Sequence, residues 1–208
     1  YGGGKGIAAE GYEQCARVTK DSKVEVNIAG GTVHGNVYGG GQIADIEGSS
    51  SVTISGGTVE GNVYGGGEKG EVKGSATVNV QNGTVKGSVF GGAYGEPDQI
   101  LVLGGSTVNM TGGWVRGNVY GGSELSNDGA DNSSLPDLVI TNLVGGTVDG
   151  NVFGGGYKGI VNGSTHLHIG TGALGKCKYY EMHEDKKPAL VASSLTVGKS
   201  VYAGGDYG

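Results

Sequence analysis

Hydrophobic and polar residues alternate along several short stretches of this 208-residue chain. The stretches V-E-V-N-I at 24–28 and A-T-V-N-V at 76–80 each place every second side chain on the same face. A period of two is typical of a strand with one buried face, whereas an amphipathic helix has a period near 3.6. The 48 glycines also disfavour helices, because each one in a helix interior costs about 1 kcal/mol relative to alanine. The pattern therefore predicts an all-β chain.

A longer phrase repeats along the chain and sets the size of the structural unit. Its form is G-T-V-x-G-N-V-[YF]-G-G, and the first full copy covers 31–40. Counting from Tyr1, the aromatic residues are spaced 37, 26, 26, 30, 33 and 49 residues apart, so the core period is 26. Short strands, glycine turns and this period fit a coil of a parallel β-helix, whereas a propeller blade needs about 40–45 residues. We predict a single-stranded parallel β-helix (β-solenoid) of about six coils, forming one domain over 1–208.

Stacked coils about 4.8 Å apart would place the aromatic residues of the phrase directly above one another. Stacked rings contribute about 0.5–1.5 kcal/mol per pair beyond their buried area, so we expect a structural ladder. An outward stripe that stacks on sugars is the alternative, and the sequence leaves the direction of the rings open. The predicted ladder contains Tyr38, Tyr64, Phe90, Tyr120, Phe153 and Tyr202.

An asparagine or a serine stands two residues before each of these rings. Asparagine tolerates tight turns and bonds to nearby backbone, so this position predicts a hydrogen-bonded amide ladder at a corner of the coil. A row of ligand-binding amides is the functional alternative. The asparagines are Asn36, Asn62, Asn118 and Asn151.

The unequal steps between the aromatic residues locate insertions at about 7–23, 96–103, 124–138 and 172–192. Extra loops on a repeat scaffold often bind partners. Insertions in end coils can instead cap the open ends of a solenoid. We favour capping or subunit contact, and partner binding stays open.

The two cysteines fall in opposite end coils. Five rises separate Cys15 from Cys177 by roughly 24 Å, whereas a disulfide needs Cα atoms within about 7 Å. If copies stack end to end, Cys177 of one copy meets Cys15 of the next, and an intersubunit disulfide becomes the expectation. Two free thiols are the alternative.

The first and last residues show nearly the same phase of the repeat, Y-G-G-G at 1–4 and V-Y-A-G-G at 201–205. An uncapped β edge is a template for another chain, and head-to-tail contacts that do not close generate filaments. The matched phase predicts a homopolymer joined end to end. A segment cut from a longer repetitive protein would match in the same way.

The composition of the chain restricts which partners and which cellular location we expect for it. With a net charge of −6 and a pI near 5.1, the chain lacks the excess of basic residues that is typical of a nucleic-acid-binding protein. No apolar run reaches the about 18 residues of a transmembrane segment. Charged residues make up only 16% of the chain, which is typical of secreted β-rich surfaces. We expect an extracellular or cell-surface location.

The sequence contains none of the catalytic motifs G-x-S-x-G, H-E-x-x-H and G-x-x-x-x-G-K-[ST]. His166 and His168 could face the same side of a strand as a metal pair, but no third ligand stands nearby. We therefore expect no enzyme, no cofactor and no metal site.

The repeats G-T-V-x-G-N-V-Y-G-G-G and S-x-T-V-N-V resemble the glycine-rich β-helix repeats of bacterial cell-surface and adhesin-type proteins. The resemblance covers nearly the whole chain and implies an extracellular, non-enzymatic role. The leading hypothesis is a structural or adhesive solenoid that assembles end to end into a filament or stalk, with surface glycans or host ligands as further partners. The alternative is a carbohydrate-binding or carbohydrate-cleaving β-helix with an insertion-lined groove.

Overall fold

The computed structural model describes residues 1–6, 16–129, 139–170 and 194–206. Within these ranges the chain forms 18 strands and no helix. The strands are β1 (Lys23–Ile28), β2 (Thr32–Val33), β3 (Val37–Tyr38), β4 (Ser49–Ile54), β5 (Thr58–Val59), β6 (Val63–Tyr64), β7 (Ala76–Val80), β8 (Thr84–Val85), β9 (Val89–Phe90), β10 (Ile100–Val102), β11 (Ser106–Val115), β12 (Val119–Tyr120), β13 (Asn127–Asp128), β14 (Val139–Val148), β15 (Val152–Phe153), β16 (Thr165–Ile169), β17 (Ser194–Val197) and β18 (Val201–Tyr202).

Each coil contributes one rung, meaning one strand or segment, to each of three stacked parallel faces. The first face stacks β1, β4, β7, β11, β14 and β16, and the second stacks β2, β5, β8, the end of β11, the end of β14 and β17. The third face stacks β3, β6, β9, β12, β15 and β18. Because all these pairings are parallel, the chain is an all-β solenoid, which confirms the predicted fold class.

The register reproduces the period read from the sequence. Val26 pairs with Val52, and Val52 pairs with Val78, so that partners in successive coils are one period of about 26 residues apart. The step lengthens to 33 residues between Asn109 and Asn142, where the fifth long strand follows an insertion. The chain makes about five turns, slightly fewer than the predicted about six.

Valine side chains fill the centre of the coil. Val52, Val78 and Val108 come from successive long strands and are fully buried against one another. Val59 and Val85 of the second face and valines of the third face complete the same cluster. Burial of a valine stabilises the fold by about 1.5–3 kcal/mol, so the core supplies most of the hydrophobic free energy of the coil.

Only some of the predicted insertions lie within the described residues. The stretch 172–192 and parts of 7–23 and 124–138 lie outside them, and so do Cys15 and Cys177 with their predicted disulfide. The stretch 96–103 is described, and it is only partly a surface loop, because Val102 of β10 is buried in the core. The described ranges hold no helix long and apolar enough to cross a membrane.

Candidate functional site

Seven aromatic rings form a continuous stack along the third face, which we call the ring column. It begins at Tyr1 and passes through Tyr38, Tyr64, Phe90, Tyr120, Phe153 and Tyr202. Neighbouring centroids lie 4.7–5.0 Å apart, and neighbouring ring planes deviate by 3–10°. The six rings of the predicted ladder are thus placed together, with Tyr1 added at one end.

The ring column lies outside the valine core. Val37 and Tyr38 are neighbours on one strand, so their side chains point to opposite faces, and they belong to two separate buried clusters. The rings are nevertheless covered: Tyr64 is only 1% exposed, and Tyr94 packs edge-on against it at 6.0 Å. The direction of the rings, which the sequence left open, is therefore outward from the core and under a second layer.

The asparagines beside the rings connect each coil to the next. Asn62 donates from Nδ2 to the hydroxyl of Tyr64 at 3.0 Å, and its Oδ1 accepts the backbone N–H of Ser88 at 2.8 Å. Asn36 and Asn118 make the same pair of bonds in their own coils. The Oδ1 of Asn151 accepts the Ser200 N–H at 3.1 Å. These bonds run from side chain to backbone and from side chain to ring hydroxyl. The predicted amide ladder at this corner is therefore a column of asparagines in which each amide bonds to the backbone of the next coil and not to the next amide.

An amide–amide ladder does exist on the long strands, where sequence reasoning did not place it. Asn109 donates to Asn79, and Asn142 donates to Asn109, both at 3.0 Å. The signal was available, because all three residues occupy the same place in the coil and pair in register.

Carboxylates that sequence reasoning missed accept hydrogen bonds from the ring column. Tyr64 donates to Glu124 at 2.5 Å, and Tyr120 donates to Asp206 at 3.1 Å. Tyr1 donates to Glu68 in the same way. Each acceptor follows a ring of the column by four residues, and it lies two coils beyond the tyrosine that it binds.

From Tyr64 onward, the residue four places after each ring depends on whether that ring is a tyrosine or a phenylalanine. Tyr64 and Tyr120 are followed by Glu68 and Glu124, and Tyr202 is followed by Asp206. The two phenylalanines between them are followed instead by Tyr94 and Tyr157, which pack edge-on against the rings of the preceding coils. From Tyr64 onward, coils whose stacked ring is a tyrosine followed by a carboxylate thus alternate with coils whose stacked ring is a phenylalanine followed by a tyrosine. The ring column therefore has a period of two coils.

Burial raises the pKa of several phenols in the ring column. Burial raises the pKa of Tyr64, and its hydrogen bond to Glu124 raises it further. Burial, followed by Glu68, raises the pKa of Tyr1 to about 12. A protonated phenol can donate a hydrogen bond to a carboxylate, as Tyr64 does to Glu124.

A single tryptophan interrupts a line of threonines on the second face. Trp114 is 43% exposed and pairs in register with Thr84 on one side and Thr147 on the other. The guanidinium of Arg116 lies 5.5 Å from the centre of its ring. This is the one large aromatic side chain exposed on the side of the solenoid within the described residues.

Charged side chains on the same face pair along the axis. Glu60 accepts from Lys86 at 2.6 Å and lies 2.7 Å from the His34 ring. These two bonds, with that to Lys86 the larger, lower the pKa of Glu60 to about 2. The pairs are exposed, and exposed pairs contribute little to stability. Their main effect is that acidic and basic side chains neutralise one another along this line of the surface.

One carboxylate lies in the core. Asp128 occupies a line that is otherwise Val18, Ile46, Val72, Val102 and Val161, and it is only 1% exposed. Its two oxygens accept from the N–H and the hydroxyl of Ser123 at 2.6 and 2.8 Å. Burial nevertheless dominates and raises the pKa of Asp128 to about 7.

The described residues contain no group of three histidine, cysteine, aspartate or glutamate side chains that could hold a metal ion. His166 and His168 lie two residues apart on β16, in register with Ile140 and Asn142 of the preceding strand. Neither neighbour is an imidazole or a carboxylate, so the possible metal pair gains no third ligand from this strand.

Comparisons with protein-family models, with curated proteins and with solved structures found no match.

Proposed function

We propose that this chain is an extracellular structural or adhesive β-solenoid whose copies join end to end into a filament or surface stalk. The observation that carries the proposal is the exposure of the ring column at its two ends. Tyr1 is 55% exposed and Tyr202 is 48% exposed, whereas the five rings between them are buried. Each end therefore presents an aromatic face of the kind that the chain itself uses to stack its coils.

The coil that carries Tyr202 exposes further apolar side chains. Val201 precedes Tyr202, and Ile169 at the end of the last long strand is also exposed. We propose that these residues form one patch, since contiguous exposed apolar surface marks an interaction site. A second copy of the chain fits this surface, because its own first ring is exposed and has the same flat geometry.

The interior of the solenoid suits a load-bearing role. Every coil is joined to the next by parallel strand pairing, a ring stack and a side-chain bond such as that from Ser88 N–H to Asn62. Rigid repetition of this kind holds its two ends at a fixed distance. An extracellular setting is consistent with the low charged fraction of the sequence, 16%.

Sedimentation velocity of the 208-residue chain over a range of concentrations tests end-to-end association. We expect the wild type to self-associate and Tyr202→Ser to weaken association by at least about tenfold, because a buried aromatic contact contributes on the order of 1.4 kcal/mol or more. Trp114→Ser is the matched control, since it removes an exposed ring from the side and should leave association unchanged. A wild-type chain that stays monomeric at every concentration would contradict the proposal.

Carbohydrate binding is the second candidate, and Trp114 is the observation that favours it. An exposed indole beside threonines and Arg116 offers a flat apolar surface with hydrogen-bond donors around it. Trp114 is the only tryptophan in the sequence, so its fluorescence reports on this position alone. Saturable quenching by a soluble polysaccharide, with calorimetric binding that Trp114→Ser abolishes, would support this candidate. An unchanged spectrum across neutral and acidic glycans would exclude it.

A further inference from the structure

The residue that follows each ring of the column is glycine in every coil but the last. These residues are Gly2, Gly39, Gly65, Gly91, Gly121 and Gly154, and the seventh is Ala203. None of the six glycines has a positive φ, so the backbone conformation alone would accept alanine. The glycines must be explained by packing.

The next coil supplies that packing. A Cβ built on Gly65 would lie within 3.0 Å of the carbonyl oxygen of Gly91, one coil further along, and real Cβ atoms essentially never come so close. The same clash arises at each of the other five glycines, always with the backbone oxygen of the following coil. Glycine is therefore required wherever another coil continues the solenoid in register. Ala203 is the position on which no described coil is stacked.

The number of rungs shows how two copies would have to fuse. In the described residues the first face has six long strands, whereas the ring column has seven rungs, because the N–H of Gly2 pairs with the carbonyl of Tyr38. In an unbroken solenoid every face has the same number of rungs. Residues 201–206 of one copy would then have to take the place of residues 1–5 of the next, which we call rung exchange.

Rung exchange satisfies most of the contacts on the ring column. Tyr202 would occupy the place of Tyr1 and reach Glu68 of the second copy, as Tyr1 does in its own chain. Tyr120 would keep its bond to Asp206. Each copy would contribute six rungs to the ring column, an even number, so the carboxylates Glu68, Glu124 and Asp206 would still recur at every second rung.

The Cβ atom of Ala203 opposes rung exchange. Ala203 would occupy the place of Gly2, where a Cβ lies 2.6 Å from Val24 Cγ1, 2.9 Å from Val26 Cγ2 and against the carbonyl oxygen of Gly39. We propose that Ala203 is a steric block against rung exchange, so that copies meet end to end with the coil interrupted. This inference rests on the proposed end-to-end association and specifies its geometry.

The block predicts the spacing of copies along a filament. A continuous solenoid would repeat every six rises, roughly 29 Å at about 4.8 Å each. An interrupted junction keeps all seven rungs of the ring column. The Ala203 Cβ also prevents the next copy from stacking in register one rise away, because it would meet the Gly2 carbonyl oxygen as an added Cβ does in the earlier coils. The repeat is therefore longer than roughly 34 Å.

The test compares the wild-type chain with Ala203→Gly and with the double variant Ala203→Gly/Gly204→Ala. Sedimentation velocity measures association, and electron microscopy measures the axial repeat. Ala203→Gly should associate at least tenfold more tightly and give the six-rise repeat of roughly 29 Å. The double variant should return to the wild-type level, because a Cβ in the place of Gly3 would lie 2.8 Å from Gly41 N.

Each outcome decides one of the two proposals. Equal association of the wild type and Ala203→Gly would overturn the block, and so would wild-type filaments that already show the six-rise repeat. A double variant that associates as tightly as Ala203→Gly would overturn it as well. A monomeric wild type together with a polymerising Ala203→Gly would support the block and contradict end-to-end association as the native function.

Discussion

The hydroxyl of Tyr64 donates a hydrogen bond of 2.5 Å to Oε2 of Glu124, a residue that lies two coils further along the solenoid. The bond passes over the intervening coil, whose ring is Phe90 and carries no hydroxyl. Strand pairing joins only adjacent coils, whereas this bond joins coils that are not neighbours. The ring column therefore couples coils over a longer range than the sheets do.

Replacing Tyr64 by phenylalanine should measure this longer coupling. The stack is kept, but the bond donated to the charged Glu124 and the bond accepted from Asn62 are both lost, so we expect the free energy of unfolding to fall by about 2–4.5 kcal/mol. Tyr38→Phe is the matched control, because the Tyr38 hydroxyl receives a neutral bond from Asn36, and its loss should cost about 0.5–1.5 kcal/mol. Urea denaturation measures both, and equal losses would show that the carboxylate adds nothing.

Two glycine-to-alanine changes should have opposite effects. At Gly91 a Cβ would lie within 3.0 Å of the Gly121 oxygen, whereas at Gly35 nothing lies within 4 Å. Gly91→Ala should destabilise the fold by about 1–3 kcal/mol or more through overpacking against backbone. Gly35→Ala should stabilise it by about 0.4–1 kcal/mol, because the unfolded chain loses conformational freedom. Thermal unfolding that shifts equally in both variants would contradict the packing account of the glycine column.

Asp128 should make stability fall as the pH rises from about 4 to about 7. Its pKa is raised from 3.8 to about 7 in the folded chain, so in this window the unfolded state releases the proton and the folded state keeps it. Stability from this group is fully present below about pH 4 and is lost by about pH 7, at about 1.4 kcal/mol per pH unit.

Asp128→Asn isolates that contribution, because asparagine has nearly the same shape and does not titrate. The difference in unfolding free energy between wild type and variant should shift by on the order of 4 kcal/mol between pH 4 and pH 7, in favour of the variant at the higher pH. Urea denaturation at several pH values measures it. A difference that stays constant with pH would show that Asp128 ionises normally in the folded state.

The repeat was sufficient to predict the coil, because its regular period and its two-residue alternation fit few other folds. It also indicated which residues share a column, since equivalent positions of a parallel solenoid must stack. The strand predicted at 76–80 is β7, and the predicted rings lie in one stack. Both results depend on the position of a residue within its own coil, which the repeat defines.

Relationships between coils were harder to predict. Glu124 is 60 residues from Tyr64, and its partner depends on how far a side chain reaches across two rises. The direction of the rings depends on the Gly-Asn corner, where alternation is interrupted and the period-two pattern no longer decides. Asp128 looked like part of an insertion, because its place in the core line becomes apparent only when the unequal coils are aligned in space.

Cryo-electron microscopy of the purified chain tests the central claim most directly, which is that rigid solenoids join through the exposed ends of the ring column. We predict unbranched filaments with strands perpendicular to the axis, a rise of about 4.8 Å within each copy and a repeat longer than roughly 34 Å per copy. Discrete particles at all concentrations, or filaments whose copies touch through the Trp114 face, would contradict it.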